Sequence, residues 1–317
     1  MTKIKNYSIN TPVKMKKLLL TLLFLPSVII YAQSPCSGGT AGGFPCNGLD
    51  LQGHIRADEM GNADEGQDSW GWTDPSTGLE YAVVALDDGT AFVRLEPDAN
   101  PSNPPTLNYL ARLNTQTSTS LWRDVKIYNN HAYIVSDSNG SHGVQIFDLT
   151  GLRTLTGSPA VTYTKNQADG RYSGIGSAHN IIINEDTGYL YILGSSANSG
   201  APRILDLNTD PENPTVAGNF SSTFGYCHDA QVVVYDGPDP DHQGKEILIG
   251  SFSNSGKLQI VDVSTKGTIN TSRKISEVSY TKQHYTHQGW FTEDKRFFIV
   301  GDEEDEINEP GITKTRT

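Results

Sequence analysis

Apolar positions along this chain fall in short runs rich in Val, Ile, Tyr and Phe, bounded by Gly, Asn, Asp and Pro. Val125–Tyr128, Ala132–Asp137, Val144–Leu149, Tyr189–Ser195, Glu246–Phe252 and Leu258–Val263 are examples. Helical spacing is almost absent. Short β-branched runs between turn-forming residues predict strands.

The strands recur in a fixed order. A unit opens on a polar pair and a short strand. A tight turn follows, such as Tyr128–Asn130 or Asn184–Gly188, and then a second apolar strand. A third strand ends in aspartate: Asp148, Asp206 and Asp262. A turn rich in Pro and Asn, such as Thr209–Pro214, leads to a weaker fourth strand, such as Ala160–Thr164.

Aligning the openings puts Ser69, Arg123, His179, His228 and His287 in one column, and Trp70, Asp124, Asn180, Asp229 and Gln288 in the next. The spacings by subtraction are 54, 56, 49 and 59 residues. A period near fifty residues with four strands per unit is the pattern of propeller blades. A twisted four-stranded sheet has two apolar faces and cannot hide both alone, whereas radial stacking hides them against neighbouring sheets. The fold class predicted is therefore all-β, a β-propeller-like array of four-stranded blades. Two β-sandwiches would not require the repeated polar pair or the repeated strand-ending aspartate. The fifth unit passes through Arg296–Asp302 and then reads "EPGITKTRT" where a third strand is due. The repeat therefore predicts further strands, and at least one more blade, beyond Thr317.

The N-terminus has a different character. Met15-Lys16-Lys17 precedes the apolar stretch Leu18–Tyr31, and Ala32 offers a small residue before Gln33. This is the pattern of a secretory signal peptide, with an apolar core short of the roughly 20 residues a membrane span needs. Residues 1–32 are thus read as a leader, the fourteen residues before Met15 being either a long n-region or the product of an upstream start. Residues 33–66 form a Cys/Gly-rich segment, and 67–317 the repeat domain. The chain has 24 basic and 36 acidic residues; removing the five leader lysines leaves 19 against 36, a net charge of −17. Such a chain repels nucleic acid and anionic lipid head groups. The expected partner is an extracellular ligand, protein or saccharide, and the mature chain should carry no integral membrane span. In an oxidising compartment Cys36 and Cys46 could close the glycine-rich loop between them, leaving Cys227 as a buried thiol.

Asp68–Val93, Trp122–Asp137, Gly176–Ser195, His228–Asp239 and Tyr285–Glu306, with the early "CSGGTAGGFPCNGLDLQGHI", resemble the choice-of-anchor B family, bacterial exported proteins with LVIVD-type repeats. The strands ending in Asp148, Asp206 and Asp262 resemble those repeats. The resemblance implies an extracellular or cell-surface β-propeller-like domain and no known catalytic activity.

The polar columns have two readings. As structural elements they tie blade to blade by satisfying buried backbone groups. As a site, Arg123, Asp124, His179, Asn180, His228, Asp229, His287 and Gln288 would surround one mouth of the central channel. His179, His228 and His287 would then be candidate ligands for a divalent metal, with Asp124 and Asp229 supporting them. The motifs G-x-S-x-G, H-E-x-x-H and C-x-x-C are missing. The first functional reading is thus a non-enzymatic binding scaffold. The alternative is a metal-dependent hydrolase or lyase with a His-lined channel site. Trp70, Trp72, Trp122 and Trp290 are read as blade packing. The acidic run Gly301–Glu309 lacks calcium-loop spacing and reads as a solvated loop.

Overall fold

The computed structural model describes residues 34–100, 103–253 and 256–308. The leader expected over residues 1–32 lies outside them.

Among the described residues, a short pairing of Thr40–Ala41 with Phe44–Pro45 precedes four sheets of antiparallel core strands and a final hairpin. Blade one consists of Gly66–Thr73, Glu80–Leu86, Gly89–Glu96 and Thr106–Asn114. Blade two consists of Arg123–Tyr128, His131–Ser136, Val144–Asp148 and Gly170–Tyr172. Blade three consists of Asn180–Asn184, Tyr189–Leu193, Arg203–Asp206 and Thr215–Phe220. Blade four consists of Asp229–Val234, Glu246–Phe252, Lys257–Asp262 and Lys274–Val278. The fifth unit is described as the pair Thr286–Phe291 and Phe298–Asp302. The molecule is a β-propeller-like array of blades.

Local chemistry explains the repeat. Blade two opens on a two-residue hairpin turn, with Asn129 and Asn130 at φ 44° and 64°. Both lie in the left-handed region that Asn tolerates better than most side chains. The third strands end in aspartate because each carboxylate accepts the N–H two residues ahead. Asp148 takes that of Thr150 at 2.8 Å, Asp206 that of Asn208 at 2.9 Å and Asp262 that of Ser264 at 3.0 Å. An Asx turn of this kind replaces the next ladder bond and stops the strand.

One sequence expectation is corrected. Ala160–Thr164 does not supply the fourth strand of blade two. Its residues Val161–Tyr163 pair in parallel with Thr106–Asn114 on the outer edge of blade one. Gly170–Tyr172 is the fourth strand of blade two. The same device recurs two blades on, where Gly267–Ile269 pairs in parallel with Thr215–Phe220 of blade three. An outer strand exposes a row of unpaired N–H and C=O groups, and a passing segment of the next blade covers part of it. Strand propensity alone cannot say which edge such a segment will join.

The core is a series of layers between blades. Phe92, Leu110 and Tyr81 of blade one meet Val125, Ile134 and Phe147 of blade two. Ile146 and Val144 meet Ile181 and Ile192. Tyr191 and Ile204 meet Val232 and Leu248. Ile247 and Ile249 meet Phe291 and Phe298. The opposite face of blade one, with Leu86 and Val93, is covered by Ile55, Met60 and Ala63 of the N-terminal segment. In that segment Cys36 and Cys46 form the expected disulfide, and Cys227 is a buried free thiol. Ion pairs supplement these layers. Asp74, at the end of the first strand of blade one, accepts both arms of the Arg153 guanidinium from blade two, at 2.7 and 2.9 Å.

The layer between blades one and two turns on the stacked rings of Phe92 and Phe147, whose centroids lie 4.6 Å apart. Phe147→Ala should cost about 3–5 kcal/mol in urea unfolding. A loss below about 1 kcal/mol would mean that blade stacking does not carry the stability assigned to it.

Candidate functional site

The heads of the first strands converge. A cavity of about 170 Å³ is lined by all eight polar residues expected there. Gln67, Asp68, Leu121 and Trp122 complete its wall. A second cavity of about 510 Å³ continues along the same strands past Trp70, Lys126, Ile182 and Trp290. These residues stand two positions beyond Asp68, Asp124, Asn180 and Gln288, as strand alternation requires for side chains sharing one face.

The blade-one alignment needs correcting by two residues. Gln67 and Asp68, not Ser69 and Trp70, correspond to Arg123 and Asp124. Their spacing becomes 56 residues, matching the next interval. The register of blade one slips between Gly66 and Asp68, leaving Gln67 as the extra residue of a bulge. His287 occupies the same kind of bulge, between Thr286 and Gln288 in the fifth unit. A bulge re-aims the side chain it carries, and here it aims both toward the mouth.

Two of the eight, Asp124 and Arg123, are committed to structure, as is Asp68 beside them. The first strand of each blade is a sheet edge, and its free N–H groups need acceptors. Asp68 accepts the N–H of Val125 in blade two at 3.1 Å, and Asp124 accepts that of Ile181 in blade three at 2.9 Å. Lys126 Nζ donates to Asp124 at 2.5 Å and Asp68 at 3.3 Å, and sits 4.7 Å over the Trp70 ring. Burial raises the pKa of Asp124, against the pull of Lys126. Burial also pushes Asp68 up, but its hydrogen bond with Asp124 and the Lys126 charge outweigh it and hold it low. The two carboxylates are thus pushed in opposite directions, Asp124 upward and Asp68 downward.

Arg123 is similarly engaged. Its guanidinium donates to the carbonyls of Asp87 at 3.1 Å and Ser118 at 3.2 Å, and to the Thr115 hydroxyl. Burial lowers its pKa to about 10. One ring nitrogen of His142 lies 3.4 Å from it, and the other is 3.0 Å from the Gly143 carbonyl. His142 is wholly buried, and burial, with the Arg123 and Arg171 charges, lowers its pKa to about 4.

The uncommitted chemistry is carried by the other members. Asn180 Oδ1 is buried without a hydrogen-bond partner. Asp229, whose carboxylate accepts only the adjacent Ala230 N–H at 2.7 Å among the bonds described, is pushed up to about 6 by burial. The imidazoles of His179, His228 and His287 stand in a row, with centroids 4.1 and 4.6 Å apart. His179 Nδ1 lies 3.0 Å from Asp137 Oδ2 at one end. His287 Nε2 lies 3.6 Å from Glu303 Oε2 at the other. His228 Nδ1 donates to the His287 carbonyl at 3.2 Å. Burial, reinforced by the flanking imidazoles, lowers His228 to about 3, and burial lowers His287 also. Gly194, at φ +55°, admits this row. A Cβ there would stand 2.7 Å from the Tyr226 hydroxyl and 2.9 Å from His179 Cβ.

Residues outside the two columns complete the arrangement. Asp137 ends the second strand of blade two, and Glu303 belongs to the acidic run read as solvated. That run is anchored, not free. Asp302 is buried and accepts the N–H groups of Tyr285, His284 and Glu304 and the Tyr280 hydroxyl. The tryptophans also divide. Trp72 is core, whereas Trp122 and Trp290 are 51% and 50% exposed and line the cavities.

Comparison with solved structures agrees with the fold. A chain of the humanized Polycomb Repressive Complex 2 of Chaetomium thermophilum is similar at 10% identity and a TM-score of 0.50, over 75% of this chain and 47% of its own. The Myceliophteria thermophila Cps50 (Swd1) β-propeller domain matches over 71% and 64% at 10% identity, TM-score 0.44. A protein described as a candidate 6-phosphogluconolactonase from Bacteroides uniformis matches over 73% and 63% at 15% identity, TM-score 0.49. This chain spans about half the length of the Polycomb chains it matches. No family model matches it, and no curated protein does. At these identities the likeness concerns the fold alone.

The buried His142 makes stability depend on pH. An unfolded histidine takes its proton near pH 6.5, and this one only near 4. Between those values the unfolded chain binds more protons, so the stability is whole above pH 6.5 and falls as pH drops toward 4. His142→Gln should flatten that part of the curve by roughly 3 kcal/mol. Parallel wild-type and variant curves from pH 7.5 to 4.5, by urea unfolding, would contradict the assignment.

Proposed function

We propose that this chain is an exported or cell-surface β-propeller of the choice-of-anchor B type, and that it serves as a binding scaffold for an extracellular saccharide. The observation that carries the reading is the cavity in which the polar strand heads meet Trp122. Asn180 and Asp229 offer hydrogen-bonding groups not consumed by blade pairing, and Gln288 adds an amide to the same wall. Half-exposed indoles beside amides and a carboxylate suit a ligand with one apolar face and a fringe of hydroxyls.

Export is supported by the apolar N-terminal pattern and by the Cys36–Cys46 disulfide, since such bonds persist in oxidising compartments. Among the described residues no helix is long and apolar enough to cross a membrane. A metal-dependent hydrolase or lyase is the second reading, favoured by the approach of His228, His287 and Glu303 to one another.

A glycan array probed with the purified protein tests the first reading. Binding to a defined saccharide class is expected, weakened about tenfold or more by Trp122→Ala and by Asn180→Ala, in line with loss of a central contact. Retention of no glycan, or equal retention by both variants, would overturn it. Cleaved product accumulating with time, and abolished by a chelator, would establish the second reading instead.

A further inference from the structure

The whole row of imidazoles is not the most compact group of donors at the mouth. The ligating atoms of His228, His287 and Glu303 all lie within 4.8 Å of one another. They come from three places in the chain: the head of blade four, the bulge of the fifth unit and the turn after its second strand. We propose that these three residues bind one divalent first-row transition ion of the zinc class, with His179 beside them as the next available donor.

Donor identity supports this. Two imidazoles and one carboxylate form a familiar set for such ions, and one that leaves coordination positions open. Two of the imidazoles are oriented from behind. His228 gives its Nδ1 proton to the His287 carbonyl at 3.2 Å, which leaves Nε2 with a free lone pair. His179 has the same arrangement through Asp137 at 3.0 Å, the carboxylate–imidazole pairing that orients metal-binding histidines. The backbone turn that carries Glu303 is held by its neighbour Asp302, which is buried and accepts four donors around it.

The distances need only a small closure. Tetrahedral bonds of about 2.0–2.2 Å place neighbouring donor atoms roughly 3.3–3.6 Å apart. His287 Nε2 and Glu303 Oε2 already stand at 3.6 Å. The Glu303 side chain is 52% exposed, so it has room to rotate toward the imidazoles. This site refines the sequence expectation, which had three histidines as ligands, by bringing in Glu303 and setting His179 next to the compact group.

The inference is independent of the saccharide reading, and one set of measurements separates them. Protein stripped with a chelator is titrated with Zn²⁺ against a chromophoric competitor, and separately with Co²⁺, whose visible bands report bound nitrogen and oxygen donors. One equivalent is expected. Glu303→Gln, a surface change that spares the fold, should weaken binding about tenfold or more, and His287→Ala should remove stoichiometric uptake. His242→Ala, in the exposed loop before blade four's second strand, should bind as the wild type does. Failure of the wild type to take up zinc, or equal affinity in the wild type and Glu303→Gln, would overturn the site. So would loss of uptake in His242→Ala. Glycan retention by protein that takes up no zinc would reject the metal centre and leave the scaffold reading standing.

Discussion

The innermost strand of every blade is a sheet edge that faces its neighbours without a partner strand. Its free N–H groups must find acceptors in a place where water is scarce, because an unpaired buried donor costs on the order of 1–3 kcal/mol. The chain supplies those acceptors from the preceding blade. Asp68 serves Val125, and Asp124 serves Ile181. In the fourth blade Gln231 takes over, accepting the N–H of Phe291 at 2.8 Å. The polar pairs at the strand heads exist first for this reason. Lys126 then follows from the carboxylates, since two buried acids within reach of one another need a cation or a shared proton.

That constraint also creates the site. Once each blade must begin with a polar side chain, a group of such side chains gathers in one cavity. Part of that group is spent on holding blades together. Where a position is released from that duty, its chemistry becomes available, as at Asn180, Asp229 and the three histidines. The difference between a tie and a ligand group is therefore local: it depends on whether a backbone N–H of the next blade lies within reach.

The strands, their period and the aspartates that end them were legible in the sequence, because each rests on local chemistry within a few residues. The gathering of Arg123, Asp124, His179, Asn180, His228, Asp229, His287 and Gln288 in one cavity followed from the period alone. What escaped depends on contacts distant along the chain. The blade-one register was misread at Ser69 and Trp70 because the irregular pairing around Gln67 leaves no mark in the residue pattern. Val161–Tyr163 has the composition of an outer strand, and only the fold decides which blade it joins. His142 gave no signal because it precedes a third strand, outside the columns. Glu303 was hidden in a run of acids whose anchoring by Asp302 depends on Tyr280, His284 and Tyr285, some twenty residues earlier.

The central claim is that the strand-head carboxylates cap backbone donors of the next blade. Amide hydrogen exchange at Ile181, in the wild type and in Asp124→Ala, tests it most directly. Loss of a neutral or charged acceptor worth about 1–3 kcal/mol corresponds to roughly 5- to 150-fold faster exchange at that amide. The account predicts this acceleration at Ile181, with ladder amides inside blades two and three, such as those of Tyr133 and Tyr191, much less affected. Unchanged exchange at Ile181, or uniform acceleration through both blades, would contradict it.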